Sequence, residues 1–369
     1  MQRNWVALSR SVDLTKTVTE GLCFATLDAL VAIGAAQGEL HEQARQIAST
    51  CFGRRVFVRA VVEVSNYCRE NCRYCGMRRD NRRLDRFRAR LDLLQELLLH
   101  HRPSSVTDIN IQAGEDPIVV REVVLPLIKT LRAQTQLGIS VCLGTLNSQL
   151  YANLQQTGAS IYIMKFEMAD SQNYSEMGGP GALSERVDHI RTLARMGWHV
   201  SSGFIVGLPG QGPQDLLANL AFACELPLDG CSVSPFIPGD ETPLAAAPSG
   251  SIDLTLNCMA GLRLMRPGWV IPAVSALNLA EPGTGYRRGL RCGANLVTIN
   301  LTPKELRGDY LLYKRDRFIM TEERILSAIS AEGLTPSTQS LAAFYQQRES
   351  CLNVGAGHRL GAVHPQVVG

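Results

Sequence analysis

The sequence lacks long apolar runs, a charge of one dominant sign, and a complete set of paired cysteines. No stretch of about 18 uninterrupted apolar residues occurs, which excludes an ordinary transmembrane helix. The N-terminal MQRNWVALSRSVDLTKTV has no apolar centre of signal-peptide length either. With 37 Lys and Arg against 34 Asp and Glu, the net charge is only +3. No nucleic-acid partner is expected, because such proteins concentrate a basic face. Eleven cysteines, an odd number without an export signal, make a poor disulfide framework and point to the cytoplasm. Scattered ones such as Cys23, Cys142, Cys224 and Cys258 sit in apolar surroundings and read as small buried hydrophobes. What is present is ordinary globular material, 45% hydrophobic and 19% charged, enough for a large core.

Residues 12–50 carry helical periodicity through Leu22, Leu27, Leu30, Val31, Ala44, Ile47 and Ala48. Thereafter β-rich runs alternate with amphipathic helical stretches: 56–65, 106–113, 139–145, 160–167, 199–207, 230–236, 269–277 and 295–302. Strands alternating with helices argue for a parallel sheet, and eight of them in about 250 residues match one barrel. The expected fold class is α/β: a complete (β/α)8 TIM-type barrel over 51–303. It is flanked by a helical lead-in over 1–50, a helical extension over 304–354, and a flexible tail over 355–369. Among the connecting helices, 184–197 is expected to start at Ser184 as N-cap, bury Val187 and Ile190, and stop at Gly197.

Residues 65–76 read SNYCRENCRYCG, placing Cys68, Cys72 and Cys75 in a Cys-x-x-x-Cys-x-x-Cys array just after the first strand. That loop belongs to the C-terminal mouth, where barrel enzymes keep their active sites. A structural zinc site takes four closed ligands, usually as two pairs, and an electron-transfer [4Fe–4S] cluster takes four cysteines. Three thiolates leave one iron of a cube without a protein ligand, which suits catalysis rather than structure.

This spacing, its strand context and Tyr74 before the last cysteine resemble the radical S-adenosylmethionine (radical SAM) enzymes. The resemblance implies a [4Fe–4S] cluster whose open iron chelates the amino and carboxylate groups of SAM. One electron from the reduced cluster then releases a 5′-deoxyadenosyl radical. Gly114-Glu115-Asp116 looks like the motif that receives the SAM amino group, although Gly-Glu-Asp-Pro is also good turn chemistry. The strand Gly203 to Gly207 is similar to the stretch that packs against adenine, so Ile205 and Tyr74 are implied neighbours of that ring.

Within the superfamily, SNYCRENCRYCGMRRDNRRLDRFR, QAGEDP, SGFIVGLPGQ, SPFIPGDETPLA and GANLVTINLTP resemble the branch of HydE, PylB and biotin synthase, HydE above all. By that resemblance Glu167 faces the ribose or amino side of SAM and Arg186 its carboxylate. The chain departs from the branch where Lys165, Phe166 and Met168 flank Glu167, at Thr145, at Val274 and Ser275, and at Thr298 and Ile299. These positions, with Ser234 and Tyr310, are expected to face a small amino-acid-like or cysteine-derived substrate.

The implied activity is a HydE-like step in metallocofactor maturation, with a one-electron donor such as ferredoxin or flavodoxin and a partner maturase protein. Alternatives are a PylB-like amino-acid mutase, biotin synthase-like sulfur insertion, or a non-enzymatic cluster or cofactor carrier. Sulfur insertion needs ligands for a second cluster, for which only Cys142 and Cys231 lie on or beside strands. An arginine run (78, 79, 82, 83, 86, 88 and 90) is either a solvated loop or a basic rim for an anionic ligand or partner.

Overall fold

The structure is a computed structural model and describes residues 26–348. The tail expected over 355–369, Cys23 and the start of the lead-in lie outside the described residues.

The strand β1, Arg55–Ser65, is rich in β-branched valine and buried along nearly its whole length, as a central parallel strand must be. It is followed by β2 (Asp108–Ala113), β3 (Gly138–Cys142), β4 (Ile161–Ile163), β5 (His199–Val206), β6 (Gly230–Pro235) and β7 (Leu296–Asn300). All pair in parallel in the order β6-β5-β4-β3-β2-β1-β7. The result is an α/β fold with seven parallel strands in a curved sheet, helices packed outside and a lumen within.

The seventh strand expected over 269–277 is reduced to two single bridges, Gly230 with Val270 and Pro272 with Leu296. Pro272 has no N–H to donate, so the ladder cannot run through it. Three backbone hydrogen bonds remain, from Val270 to Asp229, Asn295 to Ile271 and Ala273 to Leu296, and side chains add to them. Buried Arg263 donates to the carbonyls of Pro267, Trp269 and Gly293. Asn295 Oδ1 accepts from Arg263 and from the Ile271 amide. A short strand that sequence reading missed, β8 (Thr335–Pro336), pairs with the start of β1.

Residues 341–348 are helical and close the lower end, where the Leu341 amide donates to both carboxylate oxygens of Asp108 at 3.0 Å. The helix Leu183–Arg195 buries Val187 and Ile190 in the main core and gives way to Gly197 at φ 83°, as expected. Its N-cap is Ala182, not Ser184: the Glu185 carboxylate reaches back 3.1 Å to the Ala182 amide and satisfies the start without a hydroxyl cap. Among the described residues no helix is long and apolar enough to cross a membrane.

Candidate active site

The turn after β1 is pinned from several sides before any cysteine is reached. The Ser65 hydroxyl donates to Asp116 at 2.8 Å, and Arg88 grips the same carboxylate with two nitrogens at 2.7 and 3.0 Å. Asp116 also caps the short helix that follows it, accepting from the Ile118 amide. Arg86 lies inside the next loop and donates to four carbonyls, those of Asn66, Met77, Arg78 and Asn81. Cys68, Cys72 and Cys75 sit on this braced loop at the upper mouth.

The three thiols are free. Burial pushes Cys75 up to about 12 and Cys72 well above its ordinary value, and it raises Cys68 as well. A cation at the thiols is what would convert them to thiolate ligands. Among the described residues no three His, Cys, Asp or Glu side chains are close enough to share one metal ion. That disfavours a mononuclear site, whereas a cube sets its three ligands on separate irons. Gly114 belongs to the same surface: a Cβ there would stand 2.3 Å from the Tyr67 carbonyl and 2.9 Å from Cys68 Cβ. The Glu115 amide donates to Cys68 Sγ at 3.4 Å.

Glu115 is buried and fully engaged. Its Oε2 accepts from Arg69 and from the Thr145 hydroxyl, and its Oε1 from Arg186 NH1 at 3.0 Å. Gly144, at φ 67°, makes room: a Cβ there would stand 2.1 Å from Glu115 Cγ. Arg186 spends Nε on the Lys165 carbonyl, and among the described residues its second terminal nitrogen makes no hydrogen bond. Although burial alone would lower its pKa, Arg186 is held above its ordinary value by the neighbouring Glu115.

Glu167 is different. Its backbone takes φ 62°, uncommon for a residue with a Cβ, and is fixed there by hydrogen bonds from its amide to Gly203 and from the Ile205 amide to its carbonyl. Its Oε2 is buried without a partner, and burial raises its pKa. A strained, enclosed carboxylate with an unused acceptor marks a place for a hydroxyl or ammonium donor. Tyr74 packs against the main core between Cys72 and Cys75 in sequence, and Ile205 is a buried member of the wall beside Glu167. These donors and acceptors fit a three-thiolate cluster with an amino-acid head group and a ribose beside it.

Below this mouth the lumen encloses a cavity of about 280 Å³. Lys165, Ser234, Val274, Ser275, Thr298 and Tyr310 line it, as does Asn278. Phe166 and Met168 do not, which corrects the expectation for the whole Lys165 to Met168 segment. The backbone turns tightly at Glu167, where the Met168 amide donates to the Phe166 carbonyl at 2.7 Å, and Lys165 and Glu167 face the cavity while Phe166 and Met168 face away. Phe166 packs on Phe204 and Phe222, and Met168 sits beneath the surface helices near Leu208 and Asn219. Ile299 likewise joins the outer core. Thr145 stands above the cavity on Glu115 and Arg69. Cys142 lines the lumen but Cys231 faces away from it, so the two do not share a second cluster site.

Sequence reading missed the charges that set the lumen's character. Arg59 reaches into it from β1, and burial lowers its pKa. Its one side-chain hydrogen bond is a long 3.4 Å contact to Thr298, Nε has no partner, and no carboxylate among the described residues lies within 4 Å. Among the described residues Lys165 also forms no ion pair, and Asn278 Nδ2 is buried without a partner. Besides Glu167, two further charges cancel each other: Arg317 grips Glu63 with two 2.9 Å hydrogen bonds, both groups nearly inaccessible. The signal for Arg59 and Glu63 was present, since both break an apolar strand on its inward positions; Arg317 comes from an irregular segment that periodicity cannot place.

Comparison with known proteins agrees with this site. The radical SAM superfamily profile matches residues 62–223. The chain is 34% identical over 274 residues to the [FeFe] hydrogenase maturase subunit HydE of Thermotoga maritima, covering 74% of this chain and 78% of that one. It is 26% identical to 3-methylornithine synthase of Methanosarcina barkeri, covering 82% and 86%. Among solved structures, methylornithine synthase (PylB) superposes with a TM-score of 0.77 at 24% identity, over 88% of this chain and 98% of that one, a likeness of fold. With its cysteine loop at the mouth of a parallel α/β sheet, the chain belongs to the radical SAM superfamily, in the branch that holds HydE, 3-methylornithine synthase and biotin synthase.

Proposed function

We propose that this radical SAM enzyme acts on a small anionic, amino-acid-like or cysteine-derived substrate held in the lumen, as a HydE-like step of metallocofactor maturation. The observation that carries the reading is the charge pattern below the cysteine loop. Arg59 and Lys165 are cations in the lumen cavity that form no ion pair among the described residues, and Glu167 is a carboxylate with a buried, unused oxygen. A ligand carboxylate satisfies the first two, and a donor from SAM or the substrate satisfies the third.

When bound, a [4Fe–4S] cluster with SAM on its open iron supplies one electron to the sulfonium and so a carbon radical above the lumen. Cys68, Cys72 and Cys75 would hold that cluster. Arg186 would turn its uncommitted nitrogen toward the SAM carboxylate, with Glu115 fixing the guanidinium rather than meeting the ammonium directly. Glu167 would accept from the ribose or amino group, and Tyr74 and Ile205 would flank the adenine. The Arg317–Glu63 fork and Tyr310 line the cavity.

The two bridges of the 270–272 segment support reading the sheet as a complete barrel, with 51–303 as the catalytic unit. Free thiols at all nine described cysteines suit a reducing cytoplasm. A partner maturase would receive the product.

The test is anaerobic reconstitution with iron and sulfide, then SAM and a strong reductant, following 5′-deoxyadenosine while candidate substrates are added in deuterated buffer. Stimulation by a cysteine-bound iron complex supports maturation. Stimulation by a free amino acid alone replaces it with a rearrangement of the 3-methylornithine synthase kind, and no deoxyadenosine under any condition leaves the carrier reading.

A further inference from the structure

The chain's net charge of +3 is not spread over its surface. Residues 67–83 carry six arginines (69, 73, 78, 79, 82 and 83) against Glu70 and Asp80. This stretch alone is therefore at +4, and everything else sums to −1. It is also the stretch that contains all three cysteines of the site.

Arg69, Arg73, Arg79, Arg82 and Arg83 are exposed. Two have acidic neighbours, Arg69 at Glu70 and Glu115 and Arg79 at Asp80, but Arg73, Arg82 and Arg83 form no ion pair among the described residues. Their neighbours in the run are used otherwise: Arg86 on four carbonyls, Arg88 on Asp116, Arg90 on Asp92. Of the unpaired arginines, Arg73 lies between Cys72 and Cys75.

Local bonds hold them on one face. The Arg79 amide donates to the Glu70 carbonyl at 2.7 Å, and Asn71 Nδ2 donates to Asp80 at 2.7 Å. Asn81 ties the Gly76 carbonyl to the Arg83 amide. Tyr67 adds an aromatic surface 39% exposed, with the Arg88 guanidinium 4.2 Å from its ring centre. Like charges clustered without partners repel, and an oppositely charged protein relieves that repulsion; aromatics and arginine are the residues that interfaces favour.

We propose that this face is the docking surface for a small acidic one-electron carrier protein of the flavodoxin or ferredoxin type. The inference rests on the radical SAM reading above, which requires one electron to reach the site for each SAM cleaved. Electron transfer falls off steeply with distance, and Cys68 and Cys75 are only half-buried beneath this face. The step is a simple exchange: the carrier is oxidised by one electron, the cluster is reduced by one, and no proton moves. Charge complementarity would orient the carrier over the loop and raise its association rate.

The test uses the cluster-loaded full chain and the double variant Arg82→Glu/Arg83→Glu. Bleaching of the cluster is followed by stopped flow with reduced flavodoxin and, separately, with photoreduced 5-deazariboflavin, a small neutral reductant. On charge reversal the flavodoxin rate should fall about tenfold or more and lose most of its salt dependence, with the deazariboflavin rate unchanged. The milder Arg82→Gln/Arg83→Gln variant should fall between.

A second readout needs no cluster: NMR titration of oxidised flavodoxin with the unloaded chain should show binding at about 0.05 M salt that weakens strongly by about 0.3 M. The inference is overturned if both variants accept electrons from flavodoxin at the wild-type rate, if both reductants slow together, or if a short RNA binds the face more tightly than flavodoxin. Deoxyadenosine formation with deazariboflavin stands in any of these outcomes, so failure of the docking surface is distinguishable from failure of the proposed function.

Discussion

Replacing Arg59 with methionine should make the cluster-free protein more stable and the enzyme worse. Arg59 lies in the lumen with an unpartnered Nε, one 3.4 Å hydrogen bond to Thr298 and no carboxylate within 4 Å among the described residues. Removing a poorly compensated buried charge for an apolar side chain of similar length gains on the order of 1–4 kcal/mol, as replaced buried ion pairs do. About 1 kcal/mol is lost with the Thr298 contact. Asp108 loses a nearby cation but keeps the Leu341 amide and the Thr107 hydroxyl as donors. The net gain is then about 0–3 kcal/mol, with a midpoint of about 1.5 that corresponds to a rise in Tm of roughly 2 °C for a chain of this size. Arg317→Met in the same lumen should do the opposite, because it strands Glu63 beneath the surface. That loss is about 3–5 kcal/mol, roughly 5 °C. The assay is anaerobic thermal unfolding of the two variants side by side at pH 7.5, with substrate-stimulated deoxyadenosine formation measured after cluster loading. If Arg59→Met lowers Tm as Arg317→Met does, Arg59 is part of the scaffold and its assignment to the substrate is wrong.

Alanine at Cys68, Cys72 or Cys75 should abolish the iron and sulfide bound after reconstitution, while Cys142→Ala should retain the full complement; equal losses in all four would sink the ligand assignment. Gly114→Ala should impair SAM binding and loop stability together, since its Cβ would stand 2.3 Å from the Tyr67 carbonyl; unchanged SAM affinity by calorimetry would contradict the close approach. Phe166→Ala should cost about 3–5 kcal/mol in stability without changing which substrates are accepted, and an altered substrate profile would return that residue to the lumen. Asp108, pushed by burial up to about 6 from an unfolded value near 3.8, favours the folded state most when protonated. Stability should therefore decline as pH rises from about 4 to 6, and Asp108→Asn should flatten that part of the profile.

The strands and the cysteine loop were legible because their signals are local. Alternating β-rich and amphipathic runs located β1 to β6 within a few residues, and Cys68, Cys72 and Cys75 share eight positions. The seventh strand misled because WVIP has strand composition while Pro272 removes the amide that a ladder needs. Lys165 to Met168 misled in another way: resemblance identified the segment, but only the tight turn at Glu167 decides that Lys165 and Glu167 enter the lumen while Phe166 and Met168 leave it. Arg317 meets Glu63 across 254 residues of chain, and no periodicity announces such a pair. The Glu115–Arg186 pairing was hidden for the same reason, each residue having been read as a separate contact for the cofactor.

The bracing of the cysteine loop makes the position of the three thiols depend on residues that are not cysteines. Arg86, Asn66 and Asp116 shape the loop through carbonyls, amides and carboxylates, with scarcely a thiol among the contacts. In metal-dependent mini-domains the ion supplies the folding free energy and its removal unravels the chain. Here polar contacts of the chain itself share that work, so loss of Arg86 or Asp116 would displace the three cysteines without touching a thiol.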